Sequence, residues 1–226
     1  MIVRIFFIFF FLLCSKILYP NEYRYDFENN SVNILLAEKK SNSLKFGLHF
    51  NLAKGWKIYW IHPGESGSPP ILSSPQKNII QSMKIDWPMP YEEYDKEADL
   101  VTRVYKDEIV IPVQLYIDTK WLEKKSIPIK LDFQICKEIC IPLTTTFSLK
   151  FPEKDFYDKK NINIIKKYEE RVPKRLAKQD SFSFKSILKE KNKIIIKISK
   201  KKEKEINPSK SYALLTGSDI PTYRNH

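Results

Sequence analysis

Glycine is scarce in this chain, with five residues in 226, three of them between positions 55 and 67. None stands in a G-x-G-x-x-G or Walker arrangement, so no phosphate-cradling loop is supported. Histidine is as sparse, at His49, His62 and His226, and the three cysteines form no second pair that could complete a zinc tetrahedron. A bilayer span takes about 20 continuous apolar residues. The longest such run, residues 5–13, is about half that and follows a short basic start ending at Arg4. This is the pattern of a secretory signal peptide. Residues 1–20 are therefore expected to direct export, leaving a mature chain with no transmembrane span. Cys14 stands where a lipoprotein cysteine would, but Leu13 precedes it where a small residue is required. Removal past residue 14 leaves two cysteines, an even number suited to an oxidising compartment.

The formal net charge is +12, which raises nucleic acid or an acidic membrane as a partner. Nearly all the excess lies beyond residue 150, and lysine far outnumbers arginine. The cysteine-bearing part is close to neutral, no nucleic-acid motif is present, and nucleic-acid binding is not expected.

Period-two patterning dominates residues 21–150. Strands are expected over 23–27, 32–39, 44–51, 55–60, 84–87 and 105–115, with Pro112 marking an edge or a bulge. Residues 62–70 read as a turn, and 89–103 as a polar, aromatic connection. From Ile127 the apolar residues Ile127, Ile129, Leu131, Phe133 and Ile135 share one face, while Lys130, Asp132 and Gln134 share the other, which Cys136 continues. After Pro142 the alternation resumes with Thr145, Phe147, Leu149 and Phe151. Short strands with turn signals between them predict an all-β, immunoglobulin-like antiparallel sandwich over 21–152. Ile162, Ile165, Tyr168 and Val172 recur at helical spacing, so 160–172 is a helix within a linker over 153–180. Strands at 182–188, 193–199 and 211–216 then make 181–226 a small β appendage or an incomplete second domain.

Cys136 and Cys140 lie four positions apart in the connection between the last two sandwich strands. Extended residues would hold them roughly 13 Å apart, whereas a disulfide needs Cα atoms about 4.4–6.8 Å apart. The segment must turn if they are to meet. Three readings of the pair stay open: a redox couple, a stabilising disulfide, and half of a zinc site. Lys137 would favour a thiolate at its neighbour and Glu138 would oppose it.

Several segments together carry a family likeness: Gly55-Trp56-Lys57-Ile58-Tyr59-Trp60, Pro63-Gly64-Glu65-Ser66-Gly67 with Pro69-Pro70, Asp86-Trp87-Pro88, Tyr105-Lys106-Asp107-Glu108-Ile109-Val110-Ile111-Pro112-Val113, and Cys136-Lys137-Glu138-Ile139-Cys140-Ile141-Pro142. Over roughly 23–151 the chain resembles the periplasmic N-terminal domain of the thiol:disulfide interchange protein DsbD, and within that family the ScsB-type proteins, whose cysteines are separated by three residues. The resemblance implies an immunoglobulin-like sandwich in the periplasm whose cysteines cycle between dithiol and disulfide. Electrons would come from a membrane-embedded thiol transporter through a thioredoxin-like domain and pass to periplasmic thiol proteins, cytochrome c maturation factors among them. It implies an attacking role for Cys140 and a resolving role for Cys136. It also implies a tyrosine beside the pair, matched by Tyr59, and a cap loop over about 91–103 with Tyr94 its aromatic. Trp60 and Pro142 are further supporting candidates, with packing in strands and turns the plain alternative for Tyr59, Trp60 and Tyr94. No cofactor and no metal are implied. Because neither a transmembrane bundle nor a thioredoxin-like domain follows, the electrons are expected from another polypeptide. The rival expectation is a non-catalytic exported binding or assembly module with a structural disulfide.

Overall fold

A computed structural model describes residues 23–121, 126–152 and 154–173 in full and 182–190 and 193–200 as backbone. The expected signal segment and the strand at 211–216 lie outside the described residues.

Two antiparallel sheets face each other. The first has the order β1 (Arg24–Phe27), β2 (Asn30–Lys40), β3 (Ser43–Asn51), β9 (Glu108–Ile117), β6 (Ile80–Ile85), with β12 (Phe156–Tyr157) also on β2. The second runs β11 (Cys140–Lys150), β10 (Ser126–Cys136), β4 (Lys57–Gly64), β8 (Leu100–Lys106), β7 (Tyr91–Asp95), with β5 (Ile71–Ser73) also on β10. The alternating apolar sets of both sheets close on one core that includes Phe46, Phe50, Ile58, Trp60, Tyr105, Ile129, Phe133 and Phe147. The immunoglobulin-like sandwich expected from periodicity is the fold.

Four local expectations change, the first being that the strand expected over 84–87 is displaced to Ile80–Ile85. Residues 105–115 are not one strand: Asp107 takes a left-handed φ of 59° and passes the chain from β8 in one sheet to β9 in the other. Aspartate tolerates that conformation better than most side chains. Residues 62–64 extend β4 beyond the expected turn, through an irregularity opposite β8. Residues 91–103 are a β-hairpin rather than a loop, its tip closed by Asp95, whose carboxylate accepts from the N–H groups of Glu97 and Ala98. Pro112 sits inside β9, but β6 ends opposite Val113, and the Pro112 carbonyl accepts from Asp86 N–H just beyond that end. The missing donor thus falls where the neighbouring strand has run out.

The expected helix is α1 (Lys159–Glu169), started by Asp158, whose side chain accepts from Asn161 N–H at 2.9 Å. Its buried Ile165 packs with Ala37 and Val110 on the outer face of the first sheet. Gly47 makes this possible, since a Cβ there would lie 2.6 Å from Val110 Cγ1 and 3.1 Å from Ile165 Cγ1. Beyond it β13 (Phe182–Glu190) and β14 (Lys193–Lys200) pair antiparallel, matching two of the three strands expected there.

Candidate active site

β10 and β11 hold one unbroken register from Ser126↔Lys150 to Cys136↔Cys140, so the two cysteines are the last rung of the ladder. Only Lys137, Glu138 and Ile139 connect them, with Lys137 N–H donating to the Ile139 carbonyl at 3.2 Å. The turn demanded by the spacing is this one: the Cα atoms are 4.1 Å apart and the sulfurs are bonded. A five-residue ring of this kind restricts the unfolded chain little, by about 2 kcal/mol in the chain-entropy account. That is a weak staple beside the core of two packed sheets.

The two sulfurs live in different surroundings. Cys136 is on the outer face of its sheet, as its place in the alternation predicts, but it is only 2% exposed rather than open to solvent. Tyr59 from β4 and Val104 from β8 cluster with it and cover it. Cys140 is exposed, and so is the whole turn, with Ile139 72% accessible. The Tyr59 hydroxyl lies 3.8 Å from Cys140 Sγ, within hydrogen-bond range for sulfur. Tyr59 itself is 3% exposed, so this is a buried phenol in contact with the sulfur of an exposed residue.

The other expected site residues are distributed by the pleat. Trp60 points the opposite way from Tyr59, into the main core, with its ring edge-on to His62 at 5.4 Å. It supports β4 from behind. Pro142 is exposed on the edge strand β11, opposite Gln134, where a residue without N–H is tolerated. On the hairpin, Val104 pairs with both Tyr59 and Tyr91, so Tyr91 and Glu93 share the cysteine-bearing face and Tyr94 takes the other. Tyr94 is 53% exposed, and its hydroxyl donates to Asp99 at 2.7 Å within the hairpin.

Sequence reading missed three charged residues of this face. Lys57 is the β4 partner of Cys136, Lys106 is the β8 partner of Lys57, and both ammonium groups hold Glu93, at 2.8 Å and 2.9 Å. Their alternation with Tyr59 and Val104 was the available signal, but the cross-strand register that joins them was not. Burial pushes the Glu93 carboxyl up, and the hydrogen bonds and charges of Lys57 and Lys106 outweigh it, so the net shift is downward. A depressed carboxylate contributes stability above its ordinary value of about 4.5, and that contribution disappears as pH falls through the lower folded value. Glu93→Gln should therefore cost about 1 kcal/mol in urea unfolding at pH 7, a figure discounted for partial exposure. The gap between the two proteins should close on acidification below the ordinary glutamate range. A gap that stays constant with pH would exclude the ion pairs as its source.

Among the described residues no three His, Cys, Asp or Glu side chains converge on one point, and no helix is long and apolar enough to cross a membrane.

A β-sandwich that leaves one cysteine of a bonded pair exposed and hides the other behind a tyrosine presents a disulfide at its surface, the arrangement that thiol–disulfide exchange domains require. The chain belongs to the family of the thiol:disulfide interchange protein DsbD, N-terminal domain, whose model matches residues 29–152. Among solved structures it is similar to the N-terminal periplasmic domain of ScsB from Proteus mirabilis, at 22% identity and a TM-score of 0.58, over 71% of this chain. The chain spans 62% of that structure's length. The N-terminal domain of Neisseria meningitidis DsbD in its reduced form matches at 16% identity and a TM-score of 0.36, over 64% of this chain and 98% of that one. No curated protein sequence matches the chain.

Proposed function

We propose that this chain is a periplasmic electron relay in which Cys140 exchanges disulfides with other proteins and Cys136 resolves the intermediate. The observation that carries the reading is the asymmetry of the pair, an exposed Cys140 within reach of the Tyr59 hydroxyl and a buried Cys136 behind it. In the reduced chain the Cys140 thiolate attacks one sulfur of a partner's disulfide. A Cys140–partner disulfide forms, and the partner's other sulfur leaves as a thiolate that takes up a proton. Cys136, losing its proton, then attacks Cys140 Sγ, expelling the partner's second thiol and restoring the intramolecular bond. Two electrons and two protons have passed to the partner. The same steps run backwards recharge the pair from a dithiol donor.

Thioredoxin-like periplasmic proteins fit as exchange partners, and a membrane-embedded thiol transporter, directly or through such a protein, as the source of electrons. Export by residues 1–20 would deliver the 21–152 redox sandwich to the periplasm, with 153–180 linking it to the 181–226 appendage. In this reading the hairpin of β7 and β8 does the work expected of a cap loop: Tyr91 flanks the cysteine-bearing face while Tyr94 braces the tip through Asp99. Pro142 stiffens the exit of the turn. The chemistry needs no metal or organic cofactor.

Equilibration against glutathione or dithiothreitol buffers tests the reading. A midpoint among the exchanging thiol carriers, between about −120 and −270 mV, supports the relay. One below about −300 mV identifies a structural disulfide and favours a binding or assembly module instead.

A further inference from the structure

The segment Pro63-Gly64-Glu65-Ser66-Gly67 stands out in the sequence, yet the exchange chemistry leaves it without a part. Its geometry is unusually constrained. Gly64 and Gly67 both hold left-handed φ values, 93° and 88°. Glu65 is fixed to the start of β8 twice, its N–H donating to the Val101 carbonyl at 3.0 Å and its carboxylate accepting from Val101 N–H at 2.6 Å. Gly64 lies flat on the same strand, where a Cβ would come within 2.4 Å of the Val101 carbonyl oxygen. The segment is thereby strapped across β8, and its last residue lands on Tyr59. A Cβ on Gly67 would sit 2.2 Å from Tyr59 Cζ and 2.3 Å from both Cε atoms, over the hydroxyl-bearing end of the ring. Val104 and Cys136 pack with that ring, so the phenol is enclosed and its hydroxyl is directed at Cys140 Sγ.

We infer that the strap formed by residues 64–67 is a positioning element for the exchange reaction: Gly67, held by Glu65, fixes the Tyr59 ring so that its hydroxyl is aimed at the Cys140 sulfur. A disulfide sulfur is a weak acceptor, whereas a thiolate is a strong one. A hydroxyl kept at this place therefore favours the state in which Cys140 carries charge, as attacking or as leaving group. The strap touches neither reacting sulfur in this account and acts through Tyr59. The inference rests on the reading of Cys140 as the reactive thiol, but not on any partner protein.

The test uses the full chain carrying Cys14→Ala and Cys136→Ala, so that Cys140 is its single thiol, and follows iodoacetamide alkylation against pH. Other charged groups around the pair, Lys57, Glu93, Lys106, Lys137 and Glu138, are unchanged throughout. Tyr59→Phe should slow alkylation at neutral pH about fivefold and move the profile to higher pH, the lost hydrogen bond being partly offset by the greater nucleophilicity of a more basic thiolate. Gly67→Ala should do the same with Tyr59 present and nothing further in the Tyr59→Phe background, where no hydroxyl remains to misplace. Glu65→Ala, which loosens the strap without adding an atom, should give a smaller slowing, about twofold, and carries the test if Gly67→Ala does not fold. An unmoved profile in Tyr59→Phe, an unmoved profile in both strap variants, or a strap effect undiminished by Tyr59→Phe would overturn the inference. Because alkylation involves no protein partner, failure here leaves the relay standing, and failure of the relay to exchange electrons leaves this result intact.

Discussion

Cys140→Ser is expected to abolish exchange with protein disulfides, while Cys136→Ala leaves a chain that accumulates covalent adducts through Cys140. The difference follows from access. An incoming disulfide must align three sulfurs in line, and Cys140 alone among the pair is open enough to be one of them. Removing the buried partner does not prevent that first step; it removes the thiol that would end it, so the mixed disulfide persists. Expression with residues 1–20 intact, followed by non-reducing electrophoresis and mass spectrometry of the adducts, measures both outcomes and names the partners. Adducts on Cys136 in a Cys140→Ala protein, with none in the Cys136→Ala protein, would reverse the assignment. Silence from both variants would remove the relay.

The largest stability effect is expected at the centre of the sandwich. Phe50 on β3 is fully buried and meets Phe133 on β10 edge-to-face at 5.5 Å, and Phe133 meets Phe27 on β1 in the same way at 5.2 Å. These rings join one sheet to the other, so no neighbour can collapse into the gap without moving a strand. Phe50→Ala should cost about 3–5 kcal/mol, a large share of the 5–15 kcal/mol that holds a typical domain together. Chemical denaturation of the oxidised protein reads it directly, and a loss below about 1 kcal/mol would mean that the two sheets are held elsewhere. The site depends on this packing, because Phe133 lies three residues before Cys136 on the same strand.

Much of this was legible in the chain. The alternation from Ile127 to Ile135 marked β10 and its buried face, and its resumption after Pro142 marked β11 as the returning strand. Helical spacing of Ile162, Ile165 and Tyr168 marked α1 and the side it buries. Where reading failed, local signals were short or polar. The hairpin of β7 and β8 carries Glu, Tyr, Asp and Lys on an edge, where one strand face is free to be charged and the apolar alternation disappears. The break at Asp107 depends on one left-handed residue within the charged triplet Lys106-Asp107-Glu108, between two stretches that each read as strand.

Sequence alone placed two cysteines at the mouth of a hairpin and required a turn between them if they were to meet, since strand period and residue rise are local properties. Only the tertiary structure decided which cysteine is exposed and which is buried. Cys136 disappears under Tyr59 and Val104, contributed by strands remote in sequence, and a glycine eight residues after Tyr59 comes to lie on that ring. Cross-strand neighbours are chosen by register and by the packing of whole sheets, and no stretch of chain carries that information by itself.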